Sequence, residues 1–426
     1  MKEKILTNVR IIDPSQKMDE IGNIFVDEKG KIKSIGKISV TSKSAEKIDL
    51  KGLIAIPGLV DMKAFVGEPG FEYKENFRTL SQAALAGGVT SIVTMPNTKP
   101  IIDNVSMVDF IIRRGRDKAK VNLFPCASIT RQIEGNQMTE FGLLKARGII
   151  GFSDVNKTIQ NTELMSRIMN YASDLDVLIM QHAEDYELSK NSCINESEVA
   201  TRLGLQGVSD IAEKIIIERD LSLLSKFPCR YHINQISSKN SLNVIKKNKT
   251  NGIKFSTGVS INNLSLNQND IGEFRTFFKL SPPLRTEEDR LSLIEGIKND
   301  LIDVIVSDHI PEDEESKRLP FSQAATGSIG IETLLPLSLE LYHNNSLSLD
   351  KIIQCLTINP AKILKIDKGT LKQGSDADLC IFDLEEPWKV KAEDLKSKSK
   401  NTAIENRKLQ GKVKMTFLKG EMVYQN

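Results

Sequence analysis

Short runs of apolar, β-branched residues alternate with stretches of helical periodicity through the middle of the chain. The runs end in polar or small residues and read TSIVTMP, VNLFPCAS, GIIGFSD, DVLIMQHAE, RYHINQIS, IKFSTGVS and IDVIVSD. Alternation of this kind over about 300 residues predicts a parallel sheet closed as a (β/α)8 barrel, which we place at residues 56–365. The polar residues that end the runs are then expected at the C-terminal face, where such barrels carry their chemistry.

The two ends of the chain have a different pattern, in which short strand-like segments are broken by turn dipeptides. These segments lie within residues 1–55 and within residues 366–426. We predict that both ends meet as one small β-sandwich domain beside the barrel, which makes an α/β protein of two domains. The Lys- and Ser-rich run at 391–402 is expected to be an exposed loop.

Composition and charge limit which binding partners and which cell compartment we expect for this protein. The 426 residues carry a formal net charge of +2, so no overall field favours nucleic acid or a membrane surface. Five scattered cysteines without a CxxC spacing argue against a disulfide framework. No apolar stretch approaches about 18 residues, and the N-terminus lacks the apolar region of a secretory signal. We expect a cytoplasmic protein without nucleic-acid or membrane partners, with homo-oligomerisation left open.

Nine segments along the chain resemble, in order and spacing, those of bacterial dihydroorotases of the amidohydrolase superfamily. Any one of them is a weak signal, but nine in register over nearly the whole chain are a strong one. They are PGLVDM (57–62), EPG (68–70), MPNTKPIIDN (95–104), GFSD (151–154), HAED (182–185), PPLRTEEDR (282–290), DVIVSDHIP (303–311), TINPAKIL (357–364) and GSDADLCIFD (374–383). The resemblance implies a barrel that interconverts N-carbamoyl-L-aspartate and dihydroorotate, with one or two Zn²⁺ ions that activate water.

The resemblance also implies which positions hold the metal and the substrate. Some of those positions keep the expected residue type. The retained set is Asp154 and His182 as metal ligands, Asp308 as ligand and catalytic proton carrier, and Asn97 and His309 at the substrate.

The other positions of the implied site have changed. Lys63 and Phe65 stand where the family has His-x-His, and Gln235 stands where it has a third liganding histidine. Gly67 replaces the arginine that holds the substrate carboxylate, and Glu312 replaces a further histidine. A catalytic zinc site needs about three protein ligands and favours imidazole. We therefore predict no cofactor, and zinc only if the chain is an active enzyme.

Loss of the metal would remove most of the chemistry. Without Zn²⁺ the pKa of the attacking water returns from about 7 toward 15.7, which corresponds to roughly 12 kcal/mol of nucleophile activation. A general base alone typically contributes only about 10²–10⁴-fold. The retained residues therefore predict a silent or crippled site.

Two functions remain open at this point. The first is a non-catalytic role, because the pattern resembles inactive dihydroorotase-like chains that assemble with aspartate carbamoyltransferase. The second is an active dihydroorotase, or a related cyclic amidohydrolase, that uses a reduced metal site with zinc. Lys63, Phe65 and Gln235 discriminate between them and favour the first.

Charge balance suggests a specific role for Lys63. Asp154 and Asp308 would repel each other if they shared a buried site without a cation. We predict that the Lys63 ammonium lies within salt-bridge distance of Asp154 or Asp308, with Gln235 and His182 completing its hydrogen bonds and Phe65 filling volume. The alternative is that Lys63 extends into solvent along the barrel mouth.

Overall fold

A computed structural model describes residues 2–37 and 44–426 of the chain. In chain order its strands are β1 (Lys4–Asp13), β2 (Met18–Val26), β3 (Ile32–Gly36), β4 (Glu46–Asp49), β5 (Ile54–Pro57), β6 (Leu59–Ala64), β7 (Val89–Thr94), β8 (Asn122–Ala127), β9 (Gly151–Phe152), β10 (Leu178–Gln181), β11 (Ile194–Asn195), β12 (Gly207–Val208), β13 (Arg230–Ile233), β14 (Ser256–Ser260), β15 (Val304–Val306), β16 (Leu379–Lys389), β17 (Lys408–Leu418) and β18 (Glu421–Gln425).

Helices connect most of the middle strands. In chain order they are α1 (Phe77–Ala86), α2 (Val105–Lys118), α3 (Phe141–Ala146), α4 (Thr162–Leu175), α5 (Tyr186–Ser189), α6 (Glu198–Leu203), α7 (Ile211–Lys226), α8 (Lys239–Thr250), α9 (Ile261–Ser265), α10 (Glu287–Lys298), α11 (Glu314–Arg318), α12 (Leu334–His343), α13 (Leu349–Leu356) and α14 (Ile358–Leu364).

Eight parallel strands form the barrel, in the order β6-β7-β8-β9-β10-β13-β14-β15. The two ends of this path meet just beyond the last strand. Ala64 and His309 form a parallel bridge, and the Phe65 N–H donates to the His309 carbonyl oxygen at 2.9 Å. The predicted (β/α)8 barrel is thus confirmed, and its closing seam lies between β6 and β15.

The barrel interior follows the period of two that β-strands impose on their side chains. Val60 and Met62 of β6 pack in one interior cluster with Val304 and Val306 of β15. Ile305, which lies between the last two, packs instead in the larger core that includes the surrounding helices. Each barrel strand has one face in the barrel interior and the other against the surrounding helices. This explains why consecutive positions of these strands are apolar.

Strands from both ends of the chain form a second sheet, as predicted. Its order is β18-β17-β16-β5-β1-β2-β3, with β4 paired to β1, and the hydrogen bonds follow one continuous path. A separate core that includes Leu6, Ile24 and Phe417 covers one of its faces. Strand β5 belongs to this sheet and crosses the predicted boundary at 55/56; the division into two domains at 56 and 365 stays a prediction.

The prediction of an exposed loop at 391–402 is wrong in part. Ser397, Asn401 and Thr402 are buried, although the lysines of this run are exposed. The Ser397 hydroxyl donates to Glu75 Oε2 at 2.5 Å, and Asn401 Nδ2 donates to two main-chain carbonyl oxygens at 3.1 Å each. Small polar side chains here satisfy buried groups above the barrel, which composition cannot reveal.

All five cysteines are free. In residues 2–37 and 44–426, every helix is too short or too polar to pass through a bilayer.

Asp61 of β6 reinforces the closing seam from a buried position. Its carboxylate accepts hydrogen bonds from the Ser307 N–H, at 3.1 Å, and from the Ser307 hydroxyl. Burial raises the pKa of Asp61 from 3.8 to about 6, although these hydrogen bonds act in the opposite direction. Asp61 therefore links the first barrel strand to the last and titrates in a mildly acidic range.

Replacing Asp61 should change how stability depends on pH. Between pH 3.8 and about 6 the folded state holds a proton that the unfolded state has released, so stability falls as the pH rises through this window. A shift of this size corresponds to a loss on the order of 3 kcal/mol. Asp61→Asn keeps an oxygen for the Ser307 N–H and should make this decline shallower when urea unfolding is measured from pH 4 to 7.

The matched control is Asp174→Asn, which changes an exposed aspartate of α4. It should keep the parent's pH dependence. An Asp61→Asn variant whose stability falls as steeply as the parent's across this window would contradict the assignment.

Candidate active site

The predicted site residues lie at the C-terminal ends of barrel strands, at one mouth of the barrel. Lys63 is on β6, and the others follow the ends of their strands: Phe65 after β6, Asn97 after β7, Asp154 after β9, His182 after β10, Gln235 after β13, and Asp308 and His309 after β15. All of them are buried apart from Asn97, which is half-buried. Parallel strands that share one direction bring these distant segments together.

Lys63 is buried at the centre of this mouth with three oxygen partners. Its Nζ lies 3.1 Å from Asp308 Oδ1, in an ion pair whose side chains are 4% and 3% exposed. The ammonium also donates to Gln235 Oε1 at 2.5 Å and to Asn156 Oδ1 at 2.8 Å. The ammonium thus donates two hydrogen bonds, to Gln235 and Asn156, and has the Asp308 carboxylate as its counter-charge.

The prediction for Lys63 is therefore confirmed for Asp308, and the solvent-exposed alternative is excluded. Gln235 completes the hydrogen bonds as expected. The part of the prediction that concerned His182 is wrong, because neither ring nitrogen of His182 has a hydrogen-bond partner in the described chain. Its Nε2 lies 3.8 Å from Glu184 Oε2. The ring therefore faces Glu184, which belongs to the same segment after β10.

Asp154 is turned away from Lys63. Its carboxylate accepts from the Thr130 N–H at 3.0 Å and from the Thr130 hydroxyl, both in the segment that follows β8. Burial raises the pKa of Asp154 to about 6 against these hydrogen bonds. The two retained carboxylates thus have separate partners, Thr130 for Asp154 and Lys63 for Asp308.

His309 lies between two other segments. The Gly330 N–H donates to His309 Nδ1 at 3.3 Å. His309 Nε2 lies 3.5 Å from Glu75 Oε2, and both side chains are fully buried. Burial raises the pKa of Glu75, but the neighbouring His309 and two hydroxyl donors outweigh it and the net shift is downward.

Gly67, which stands where the family has its substrate arginine, has a backbone that excludes any larger residue. Its φ is +71°, in the left-handed region that favours glycine. A Cβ at this position would lie 2.4 Å from the Glu75 carbonyl oxygen and 2.8 Å from that of Phe71. The local backbone conformation therefore has no room for an arginine at this position.

A cavity of about 360 Å³ remains beside the ion pair. Phe65 lines it with Lys63, and the Phe65 ring packs 6.1 Å from that of Phe71. Asn97 also lines it, and Asn97 Oδ1 is buried without a hydrogen-bond partner in the described residues. Glu312 lies at the rim, where it pairs with Lys74 at 2.5 Å. The cavity thus has apolar and polar walls, and several of its polar groups are already paired with other side chains.

The residues present do not fit the zinc that the family implies. Across residues 2–37 and 44–426, there is no group of three or more His, Cys, Asp or Glu side chains placed to hold a metal ion. An ammonium occupies the centre of the mouth, where it binds Asp308 and Gln235. Phe65 has no donor atom for a metal. The donor set therefore suits a fixed cation and not a divalent metal.

Two contacts of the mouth were not predicted. Asn156 binds the Lys63 ammonium, and Thr130 holds Asp154. Both lie in loops that follow barrel strands, which is a general signal of function. The sequence carries no sign of which strand-end loop faces which, so neither partner could be assigned from it.

Solved structures share the architecture of this chain. The L-hydantoinase (dihydropyrimidinase) from Arthrobacter aurescens has a TM-score of 0.89 and covers 100% of this chain and 96% of its own, at 22% sequence identity. The dihydropyrimidinase from Brevibacillus agri NCHU1002 has a TM-score of 0.86, with coverages of 100% and 95%, at 21% identity. At such identities the likeness concerns the fold alone.

Sequence comparison then identifies the family. Residues 52–241 match the family described as Dihydro-orotase-like, and residues 327–424 match the one described as Amidohydrolase family. The dihydroorotase of Ehrlichia canis (strain Jake) is 42% identical over 423 residues, which are 98% of this chain and 94% of that protein. The dihydroorotase of Syntrophus aciditrophicus (strain SB) is 39% identical over 422 residues, 99% of each. The chain belongs to the dihydroorotase family.

Removing the Lys63 ammonium should destabilise the protein. Lys63→Met leaves Asp308 buried without its cation, and breaking a buried ion pair in this way typically costs about 3–5 kcal/mol. We expect a loss of that order in the free energy of unfolding, measured by urea denaturation. The double variant Lys63→Met/Asp308→Leu should recover a large part of the loss, because neither charge then remains buried.

The matched control is Lys157→Met. Lys157 lines the same cavity, but it is exposed and its Nζ binds only the Ile133 carbonyl oxygen, at 3.1 Å. Its loss should change stability by no more than about 0.5 kcal/mol. Equal stabilities of the Lys63→Met and Lys157→Met variants would count against the role given to the ion pair.

Proposed function

We propose that this chain is a dihydroorotase-family protein without metal-dependent hydrolysis, and that it serves as a structural partner of aspartate carbamoyltransferase. The observation that carries the first part is the buried Lys63 ammonium. It is paired with the Asp308 carboxylate and donates hydrogen bonds to Gln235 and Asn156. A metal at this place would have to displace a covalently attached positive charge, against Coulomb repulsion in a poorly solvated site.

A second observation supports the loss of catalysis independently of the metal. The family's proton carrier, here Asp308, is engaged in the ion pair with Lys63. The family's substrate arginine is Gly67, whose backbone has no room for a side chain. Charge-assisted binding of the substrate carboxylate and free movement of the proton carrier are therefore both missing.

The proposal predicts a protein that neither retains zinc nor turns over dihydroorotate. We expect metal analysis of the purified chain to find less than one tightly bound zinc per chain, and assays in both directions to give background rates. Lys63→His/Phe65→His should not restore activity, because Gln235 and Gly67 remain in place.

An active dihydroorotase assayed in parallel is the positive control, and a chelator-treated sample of it sets the background. Relatives named dihydroorotase at 42% and 39% identity favour an active enzyme as the second candidate. Stoichiometric zinc together with robust, chelator-sensitive turnover in this chain would establish that candidate instead.

The partnership rests on the family resemblance and on the retained fold. The barrel is closed and its seam is reinforced by Lys63 and Asp61, so the chain keeps a stable surface after the loss of its metal ligands. A stable barrel with a silent site is suited to a role in which its outer surface is used.

Assembly can be tested with purified chains. We expect this protein and the aspartate carbamoyltransferase of the same organism to sediment together at micromolar concentration, faster than either does alone. The Lys63→Met/Asp308→Leu variant is a useful companion, because it alters the silent site and leaves the outer surface unchanged, so it should assemble equally well. Independent sedimentation of the two native chains would refute the partnership and leave the catalytic part of the proposal standing.

A further inference from the structure

A second cavity lies on the outside of the barrel, away from the silent site. It has a volume of about 650 Å³ and is formed where α1 and the C-terminal end of α2 meet the last strand, β18. Four cations line it: Arg78, Lys118, Lys120 and Lys396. Only one carboxylate, that of Asp117, lines it with them. We refer to this cavity as the cationic cleft.

The four cations are not used within the chain. All four are exposed, and within residues 2–37 and 44–426 none of their side chains forms an ion pair or a hydrogen bond. Asp117 lies 3.4 Å from the neighbouring Arg116. Glu332, which interacts electrostatically with Tyr424, accepts from the main-chain N–H groups of Lys396 and Ser397. Among the described residues, the cleft thus has four lining cations against one lining carboxylate.

The helix dipoles do not explain this arrangement. Lys118 is in the last turn of α2, where the dipole favours a cation. Arg78 is in the first turn of α1, where the dipole disfavours one. Lys120 and Lys396 lie outside any helix. Helix dipoles therefore account for Lys118 alone, and the other three cations add to a local excess of positive charge in a chain whose net charge is only +2.

The size and chemistry of the cleft indicate the occupant. Cavities of about 300–1,000 Å³ between structural units typically hold small molecules. Guanidinium and ammonium groups are the side chains that hold phosphate oxygens. An excess of several positive charges suits a ligand with more than one negative charge, and the half-buried Tyr424 adds a flat apolar wall.

We propose that the cationic cleft binds a small ligand that carries a polyphosphate group, with Arg78, Lys118, Lys120 and Lys396 contacting its phosphate oxygens. The site is separate from the barrel mouth and does not depend on the loss of the metal ligands. Binding involves no covalent step.

The test is titration calorimetry of the whole purified chain with sodium tripolyphosphate. We expect one site per chain, with binding that weakens between about 50 mM and about 300 mM salt as screening increases. Lys118→Gln/Lys396→Gln should weaken binding by at least about tenfold, and Arg78→Gln should weaken it separately. All three side chains are exposed, so their loss should leave the thermal unfolding of the protein unchanged.

Lys254→Gln is the matched control, because Lys254 is an exposed lysine without an ion pair at another cavity of the protein. It should change binding by less than about twofold. Absence of binding at the lower salt concentration, or equal binding by the Lys118→Gln/Lys396→Gln variant and the parent, would overturn the proposal. Tighter binding of polyglutamate than of tripolyphosphate would overturn it in favour of an acidic protein segment.

A nucleoside triphosphate distinguishes the two sources of a polyphosphate group. If it binds more tightly than tripolyphosphate and Tyr424→Leu removes the difference, a nucleotide is the ligand and the ring of Tyr424 contacts its base. If both bind equally, the cleft recognises the polyphosphate chain alone. Either result supports the proposed phosphate contacts.

Discussion

The closing seam between β6 and β15 is the contact on which both the barrel and its mouth depend. The main chain closes there through the bridge of Ala64 and His309 beyond the strand ends. Buried polar side chains reinforce it, since Asp61 binds Ser307 and Lys63 binds Asp308. The same two segments supply the first and last positions of the family's metal site. Closure of the fold and the chemistry of the mouth are therefore determined together.

An ammonium in place of a metal separates stability from catalysis. A bound metal supplies positive charge and open coordination positions, whereas Lys63 supplies the charge alone. The buried carboxylate of Asp308 thus has its counter-charge. Under the proposed function, the fold is retained without the means to activate water. Gly67 extends this argument to the substrate, because its backbone excludes the side chain that would bind a carboxylate. The differences from the family pattern therefore involve the backbone at Gly67 as well as side chains at the ligand positions.

Much of the site could be predicted because its positions follow strand ends. Lys63, Gln235 and Asp308 were expected to lie together, and they do. The partners that come from loops could not be predicted, and Asn156 is the clearest case. His182 turned toward Glu184 for the same reason, since rotamer and loop path decide which neighbour a strand-end side chain meets.

The sequence by itself determined the barrel, the sheet built from both termini and the absence of a full set of imidazole ligands, because these depend on local periodicity and residue identity. Tertiary structure decided the rest. It determined that Lys63 pairs with Asp308 and not with Asp154. It also buried Ser397 against Glu75 and placed Arg78 and Lys396 in one cleft. Each of these joins segments far apart in the chain, and only packing brings such segments within a few ångströms.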